Sequence, residues 1–507
     1  MRSAAEATGD TKTAGIPARR VGDRAADQRS VAQRLLALAA QDPQAPAVTS
    51  VSATDGRHTL TREALCRRVQ HLAQALDTAL DPAERHTVID LPNGDSFLVA
   101  VLATWWTGRT PLVVPPGSTP QETKALFAAT GGVPPTPPIS ALPLQTAGVA
   151  RSRDDGTSRT PRPEPHHAWS LPSGGSTGLP GLVPVAGPPA AVLAGQQRLL
   201  SVVGWRPAAV QLVLGPLFHA APFTSALSGL AAGNHLVVPD RFTPAGVAEV
   251  LTVAPPTWCQ LTPHHMAMIG CDEGLADRLC GTLEGLLHTA APCPEDVKRA
   301  WIERLGGERL FEIYGSTQML GTTVCDGVEW LERPGTVGRP FMTRIRILDE
   351  DGRRLPAGTV GEVAMRSPRT RQLTAPEAAQ VRPHPGGFYG AGDLGHLDEA
   401  GYLFLSDRVD DVIIVGGANV SAREIENVLT AHPLIREAVV SGRPHPVLGE
   451  LPHAVVVCEP GGSLTLRELK GYCAQYLASH KVPASFEAVG ELARSRAGKV
   501  QRYRYHG

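Results

Sequence analysis

The residues best suited to hold a phosphate form a loop of small side chains in the first half of the chain. The stretch SGGSTGLP, residues 173–180, follows an apolar run that is typical of a strand. Small residues let backbone N–H groups approach phosphate oxygens closely, and hydroxyl groups can donate to them as well. Alone, such a loop is equally an ordinary turn, and the chain contains no Walker A sequence GxxxxGK(S/T). The phosphate contacts that we predict in the loop are Ser173, Gly175, Ser176, Thr177 and Gly178.

Four later segments carry residue types that suit a nucleotide. Tyr314-Gly315-Ser316-Thr317-Gln318 closes an expected strand, where a tyrosine can stack on a purine and a threonine can donate to a phosphate. Asp393 lies in the sequence Gly392-Asp393-Leu394-Gly395, and its carboxylate can accept hydrogen bonds from both hydroxyl groups of a ribose. A motif from Asp407-Arg408 to Gly416-Gly417, and a terminal Gly498-Lys499, complete the set. Each segment is common in isolation, so their order and spacing carry the argument.

Taken in order, these five segments resemble those of the adenylate-forming superfamily, which includes acyl-CoA synthetases, peptide-synthetase adenylation domains and luciferases. The resemblance covers roughly Asp90 to Arg502. It implies an α/β fold with a large N-terminal domain of layered βα sheets, a β subdomain within it, and a small mobile α+β domain at the C-terminus. It also implies AMP, held as an acyl-adenylate, and coenzyme A as ligands.

The resemblance assigns nucleotide contacts residue by residue. Tyr314 matches the aromatic residue that stacks on adenine, Thr317 matches the hydroxyl on the α-phosphate, and Asp393 matches a ribose contact. The remaining nucleotide contacts that it implies are Gly315, Ala291, Pro292 and Arg408.

The resemblance also assigns the parts of the small domain. Asp410 matches the hinge about which this domain rotates, and Gly416 and Gly417 match the turn that lines the tunnel for the pantetheine arm of coenzyme A. Lys499 matches the lysine that reaches the carboxylate and the α-phosphate in the first half-reaction. The catalytic residues that we predict are Lys499, Thr177 and His219.

The stretch Pro216–Phe223 indicates the branch of the family. Members that activate amino acids carry an aspartate here for the substrate ammonium, whereas this chain has His219 and no acid. Acyl-CoA ligases commonly have aromatic or histidine residues here, so we expect an acyl substrate. The small residues that follow either leave room for a bulky acyl group or suit close helix packing. The acyl-binding residues that we predict are Phe218, His219 and Ala290.

Two positions depart from the family pattern. The family's phosphate loop ends in Pro-Lys, but here Pro180 is followed by Gly181, and the family's magnesium-binding glutamate is replaced by Gln318. Formation of the adenylate from ATP needs cations to offset the polyphosphate charge, and Mg²⁺ prefers carboxylate ligands. We therefore predict no metal site of the usual kind. We hypothesise that adenylation is impaired, with ATP and Mg²⁺ left undecided as cofactors and a separate adenylating enzyme as a candidate partner.

Four alternatives stay open beside this hypothesis, one of which, a luciferase-like oxygenase, has no residue in its favour. The protein could be a complete ATP-dependent synthetase, and the retained Lys499 favours this alternative. It could transfer the acyl-adenylate to another nucleophile, such as an amine or a carrier-protein thiol. It could also bind a nucleotide without catalysis, although the hinge and the pantetheine turn would then have no purpose.

Patterns of apolar residues predict how the chain is organised. From Thr87 to Gly315, short apolar runs alternate with helical stretches, which predicts parallel sheets covered by helices. From Gly335 to Ser367, short strands around an Asp-Gly turn predict the β subdomain. The predicted units are a disordered tail (1–30), an AMP-binding domain (31–407) and a mobile C-terminal domain (408–507).

The composition excludes several partners. Charge is balanced, with 48 Lys and Arg against 49 Asp and Glu, so no global field favours nucleic acid. No apolar run is long enough to span a membrane. The eight cysteines form no CxxC pair, which is typical of reduced thiols in a cytoplasmic protein. The expected partner is a small-molecule acid. The heavy use of Ala, Arg, Pro and Gly suggests a high-GC genome, which together with the two altered ATP-binding positions favours secondary metabolism.

Overall fold

The elements of the chain were obtained from a computed structural model, which describes residues 29–52, 56–128, 134–142, 160–172, 181–316, 318–373, 381–408, 412–415, 418–462, 464–494 and 500–505. The helices are α1 (Val31–Gln41), α2 (Arg62–Ala79), α3 (Asp95–Trp106), α4 (Pro120–Leu126), α5 (Pro189–Ser201), α6 (Ala220–Ala231), α7 (Pro244–Val253), α8 (Pro263–Gly270), α9 (Glu273–Thr282), α10 (Glu295–Leu305), α11 (Gly327–Glu332), α12 (Ala422–Thr430) and α13 (Leu466–Cys473).

The strands of the first half are β1 (Pro46–Ser52), β2 (Gly56–Thr61), β3 (His86–Ile89), β4 (Thr110–Val113), β5 (His167–Pro172), β6 (Leu182–Ala186), β7 (Val210–Val213), β8 (His235–Pro239), β9 (Trp258–Leu261) and β10 (Gly285–His288). The strands of the second half are β11 (Leu310–Gly315), β12 (Thr322–Asp326), β13 (Arg339–Phe341), β14 (Arg344–Leu348), β15 (Gly361–Arg366), β16 (Arg382–His384), β17 (Phe388–Leu397), β18 (Leu403–Arg408), β19 (Val412–Val415), β20 (Ala418–Ser421), β21 (Ile435–His445), β22 (Gly449–Cys458) and β23 (Ser485–Ala488).

A nine-stranded sheet forms the centre of the large domain, in the order β13-β12-β11-β10-β9-β7-β8-β1-β2. Its six inner strands, from β11 to β1, are parallel, and its outer strands are antiparallel. The apolar runs therefore predict the parallel arrangement of the centre correctly but not the antiparallel edges. Because the inner strands run in one direction, their carboxyl ends meet along a single edge.

A second sheet, β3-β4-β5-β6, lies on the other side of a layer of helices. The helix α3 belongs to this layer and is buried from Phe97 to Trp106, which explains why its sequence is apolar on every side. The aromatic rings of Phe97, Trp169 and Phe223 pack against one another in the same core. This packing confirms the prediction of sheets layered with helices.

Two smaller sheets follow in the second half of the chain. Strands β14, β15, β17 and β16, with β18 beside β17, form the predicted β subdomain. The C-terminal sheet has the order β20-β19-β22-β21, with β23 beside β22, and α12 and α13 contribute to its core. The structure thus confirms a large α/β domain and a smaller α+β domain. The exact boundary at residues 407 and 408 and the mobility of the small domain stay predictions, and the predicted tail lies almost wholly outside the described residues.

Candidate functional site

The segments predicted to bind ligand leave the large sheet at its carboxyl edge. The turn Pro216–His219 follows β7, the segment Thr289–Pro292 follows β10, and Tyr314 and Gly315 end β11. Strands β7, β9, β10 and β11 are consecutive neighbours in the sheet and run parallel. Segments that are about a hundred residues apart along the chain are therefore brought to one edge, which is where α/β proteins place their ligands.

Two of the predicted nucleotide contacts touch directly. The hydroxyl group of Tyr314 donates to Oδ2 of Asp393 at 2.6 Å. Asp393 lies on β17 of the β subdomain, opposite Arg408 of β18 in the antiparallel register. The subdomain thus closes over the end of β11 and delivers its carboxylate to the tyrosine. This contact brings the predicted adenine and ribose residues within one hydrogen bond of each other.

The hydroxyl group of Ser316 follows Tyr314 and Gly315 in the chain and has no hydrogen-bond partner among the described residues. Its Oγ atom is buried, and no described residue accepts from it or donates to it. Buried polar atoms are normally hydrogen-bonded, so an orphan at the carboxyl edge indicates a position that a ligand completes. A nucleotide phosphate or ribose hydroxyl group fits this position chemically.

The turn that carries Phe218 and His219 is anchored by Asn93, which lies in the loop between β3 of the second sheet and α3. The side chain of Asn93 donates through Nδ2 to the carbonyl of Gly215 at 3.1 Å and accepts from the N–H of Leu217 at 2.8 Å. The rings of Phe218 and His219 pack with their centroids 4.7 Å apart, and His219 caps the N-terminus of α6 through its backbone. Sequence reasoning missed Asn93, although a polar residue in Pro-Asn-Gly between a buried strand and a buried helix is a turn signal.

The segment after β10 holds a strained residue. Ala290 has a φ of +80°, a left-handed conformation that costs a residue with a Cβ atom about 1–2 kcal/mol. The preceding Thr289 donates from its hydroxyl group to the carbonyl of Ile313 at 2.8 Å, which ties the segment to β11. Ala291 is half-buried, whereas Ala290 and Pro292 are exposed at the edge. Backbone strain of this kind is typical of ligand-binding segments.

A buried ionic pair supports this segment from below. Lys298 of α10 donates to Glu312 of β11 at 2.5 Å, and both side chains are almost fully buried. His288, the last residue of β10, lies beside them with both ring nitrogens unpaired among the described residues. Burial lowers the pKa of His288 to about 4, while Glu312 raises and Lys298 lowers this pKa to a smaller extent. His288 is therefore neutral at pH 7 and is buried as an uncharged ring.

We predict that His288 makes the large domain less stable in acid. Its pKa is about 4 in the folded chain, below the usual 6.5, so the unfolded chain binds a proton first as the pH falls. The contribution of His288 to the free energy of unfolding is complete above pH 6.5 and declines as the pH falls to 4. At pH 5 about 2 kcal/mol of it is lost. We measure the free energy of unfolding in urea at pH 7.5 and pH 5.0. Its fall between these two pH values should be smaller by about 2 kcal/mol in His288→Leu than in the parent protein. The exposed His480→Leu is the control, and an unchanged pH dependence in His288→Leu would contradict the prediction.

Of the two positions that depart from the family pattern, Gln318 follows the end of β11 at this edge, and Gly181 precedes a strand of the second sheet. Gln318 is half-buried in a turn that is closed by the N–H of Met319 donating to the carbonyl of Ser316 at 2.9 Å. Gly181 directly precedes β6. Within the part of the chain that the structure describes, no group of three or more His, Cys, Asp or Glu side chains could hold a metal ion. Gln318 offers a neutral amide at the position where the family has a carboxylate.

Several predicted site residues lie outside the described residues, and their roles stay predictions. They are Ser173, Gly175, Ser176, Thr177, Gly178, Thr317, Asp410, Gly416, Gly417 and Lys499. The roles of the described site residues also stay predictions. The structure places those that follow β7, β10 and β11 at one edge of the large sheet, and it places Asp393 of the β subdomain in contact with Tyr314.

Comparison with protein families matches both parts of the chain. A family model described as AMP-binding enzyme matches residues 136–373, and one described as AMP-binding enzyme C-terminal domain matches residues 424–499. A fatty acid–[acyl-carrier-protein] ligase, ScoC, from Streptomyces coeruleorubidus is 31% identical over 60% of this chain and 59% of its own length. A 2-succinylbenzoate–CoA ligase from Bacillus velezensis is 30% identical over 58% of this chain and 59% of its own. The matched part of this chain thus spans 59% of the length of either relative.

A comparison of structures extends over almost the whole chain. The amide bond synthetase McbA from Marinactinospora thermotolerans has a TM-score of 0.77 and 26% sequence identity, and the match covers 94% of this chain and 98% of that one. The arrangement of both domains is therefore one that solved structures share.

In the described ranges, every helix is too short or too polar to cross a membrane.

Proposed function

Because the chain belongs to the adenylate-forming superfamily of AMP-binding enzymes, in its acyl-CoA ligase branch, we propose that it makes an acyl-CoA thioester from an acyl-adenylate and coenzyme A. The observation that carries this proposal is the bond between Tyr314 and Asp393 at the carboxyl edge of the large sheet. It pairs an aromatic ring that suits adenine with a carboxylate that suits a ribose. An acyl-adenylate presents both groups to such a pair.

The thioester-forming step needs little beyond positioning. The thiol sulfur of coenzyme A attacks the acyl carbonyl carbon, a carbon–sulfur bond forms, and the carbon–oxygen bond to the phosphate breaks. AMP leaves with the electron pair of that bond, and the thiol proton passes to water. The mixed anhydride is already activated, so the protein has to hold two reactants close together and exclude competing water.

We further propose that adenylation of the free acid is slow. Expulsion of pyrophosphate from ATP concentrates negative charge that a cation must offset, and Gly181 and Gln318 remove one cationic and one anionic group that serve this purpose in the family. Each lost charge-assisted contact costs about 1.5–3 kcal/mol. A separate enzyme that supplies acyl-adenylate is the partner that this proposal requires, and the cytoplasm is the compartment we expect.

The acyl group should lie along the turn that Asn93 anchors. Phe218 is buried and His219 half-buried, so the turn offers an apolar wall with one polar ring at its end. The strained Ala290 follows β10, which is separated from β7 by β9 in the same sheet, and exposes its small side chain. These features suit the carboxyl end of an apolar acid better than a free amino acid, because the described part of the turn offers no acidic partner for an ammonium group.

Two parallel reactions test the proposal. The first contains the protein, coenzyme A and a panel of synthetic aryl- and alkanoyl-adenylates without ATP or Mg²⁺, and the second contains the free acids, Mg²⁺-ATP and coenzyme A. We expect acyl-CoA, detected by mass, at a much higher rate in the first reaction. Equal rates in both would indicate a complete synthetase. Consumption of adenylate without acyl-CoA would contradict the proposal and indicate another nucleophile.

A further inference from the structure

A buried ion pair joins two elements that meet at the predicted ligand edge. Nζ of Lys298 donates to Oε2 of Glu312 at 2.5 Å, and the two side chains are 2% and 10% exposed. Lys298 is the fourth residue of α10, and Glu312 lies on β11 two residues before Tyr314. Nζ of Lys298 also lies 4.8 Å from the centroid of the buried Trp330 ring. A charge-assisted bond fixes direction as well as distance, so the pair holds the start of α10 in one position relative to β11.

The 289–292 segment, which connects β10 to α10, is fastened to the same strand at its other end. The hydroxyl group of Thr289 donates to the carbonyl of Ile313 at 2.8 Å. The two anchors therefore act on consecutive residues of β11, Glu312 and Ile313. Between the anchors lies Ala290 with its φ of +80°, a conformation that persists only where the surrounding structure holds it.

The ion pair and Tyr314 share one face of β11. Side chains alternate along a strand, so Glu312 and Tyr314, two residues apart, point to the same side. Lys298 reaches Glu312 from that side, which places the start of α10 over this face. The ring of Tyr314 is held separately, because its hydroxyl group donates to Asp393 at 2.6 Å. Two independent bonds thus fix the ring on the one hand and the segment that leads into α10 on the other.

We propose that Lys298 and Glu312 are positioning residues for the nucleotide, and that their bond sets the distance between the 289–292 segment and the ring of Tyr314. This inference rests on the proposed function, in which adenine lies against that ring. Neither side chain of the pair has to touch the ligand. Without the bond, α10 can shift, the strained Ala290 can relax, and the segment no longer meets the adenine at the same distance. Apolar side chains would fill the same space without fixing the position, because apolar contacts are not directional.

The test separates position from stability. Lys298→Met together with Glu312→Leu removes both charges and keeps the space filled, and such an exchange of a buried ion pair often leaves stability equal or higher. Glu312→Asp is a second variant, which keeps both charges, shortens one side chain by a methylene group, and decides the test by itself where the double variant does not fold. Glu295→Leu with Arg299→Met is the matched control, because these residues form an exposed ion pair at the start of the same helix.

Three measurements are made on the full chain. Calorimetry gives the Kd of AMP, and acyl-CoA formation from a synthetic acyl-adenylate gives the KM of the adenylate and the KM of coenzyme A. Unfolding in urea gives the stability of each variant. A role in stability alone would lower the urea midpoint and the apparent kcat, because fewer molecules are folded, and would leave Kd and KM unchanged.

We expect the Kd of AMP and the KM of the acyl-adenylate to rise about 5- to 50-fold in both variants, which is part of the value of one base–aromatic stack. The KM of coenzyme A should stay within about twofold of the parent, and the control pair should change none of the three constants. In a Tyr314→Leu background, the double replacement should have no further effect on the Kd of AMP, because the pair acts through its distance to that ring.

Three results would each overturn the inference: an unchanged Kd of AMP in the variants, an equal rise in the KM of coenzyme A, or losses that add to that of Tyr314→Leu. The proposed function would stand after any of them, provided that the parent protein binds AMP and forms acyl-CoA. Failure of the parent protein to bind AMP would overturn the inference and the proposed function together.

Discussion

Replacing Gln318 by glutamate is expected to raise the rate of adenylate formation from ATP and a free acid by about 10- to 150-fold, since one charge-assisted contact is restored. The change exchanges an amide nitrogen for an oxygen with almost no change in volume, in a turn that the Met319–Ser316 backbone bond already closes. A carboxylate there supplies the oxygen ligand that Mg²⁺ prefers. ATP–pyrophosphate exchange measures the gain, and its dependence on Mg²⁺ concentration should saturate earlier in the variant.

The second lost group can be restored in the same way. Gly181→Lys places an ammonium group next to the predicted phosphate loop, and if the two gains add, the double variant should adenylate about 10² to 10⁴ times faster than the parent. Gln318→Met is the control for side-chain length without charge and should give no gain. An equal gain in Gln318→Met, or no gain in the double variant, would show that these two positions do not limit adenylation.

The parts of the fold that follow from short-range patterns could be predicted from the sequence. The apolar runs Leu212–Leu214, Leu236–Val238 and Leu286–Thr289 predict β7, β8 and β10 to within two residues of their observed ends. A strand buried on both faces leaves such a continuous apolar signature. The helix α2 was not predicted, although Leu65, Val69 and Leu76 recur at helical spacing and are buried in the core. The edge strands β12 and β13 carry no comparable signal, because their direction is decided by neighbours rather than by their own residues.

Motifs in the sequence predict which residues form the site. They do not predict which of these residues come into contact. Tyr314 and Asp393 are 79 positions apart, and Asn93 is 122 positions from the carbonyl that it binds. No local pattern encodes such distances, because they follow from how whole sheets and domains pack. The pair of Arg502 and Glu426 belongs to the same class, because only the packing of the small domain shows that these two residues bind each other.

Replacing Asp393 by asparagine is expected to slow both half-reactions by a similar factor, about 10- to 150-fold, because both use the nucleotide. The asparagine keeps the shape of the side chain but offers Tyr314 a neutral acceptor in place of a carboxylate, and it has one acceptor oxygen for the ribose hydroxyl groups where the carboxylate has two. kcat/KM for a synthetic acyl-adenylate with coenzyme A measures one half-reaction. Pyrophosphate exchange in the Gln318→Glu background measures the other.

A double-variant cycle separates the two partners of this bond. Tyr314→Phe keeps the aromatic ring for stacking and removes the donor, so it should cost less than Asp393→Asn, and the double variant should cost little more than Asp393→Asn alone. Asp351→Asn is the matched control, since Asp351 lies in the same subdomain with a largely exposed side chain whose ion pair contributes little. Loss of only one half-reaction in Asp393→Asn would show that the carboxylate does not serve the nucleotide. A loss shared by both would place the ribose at the point where the β subdomain meets the end of β11, which is the geometry that an acyl-adenylate needs in either step.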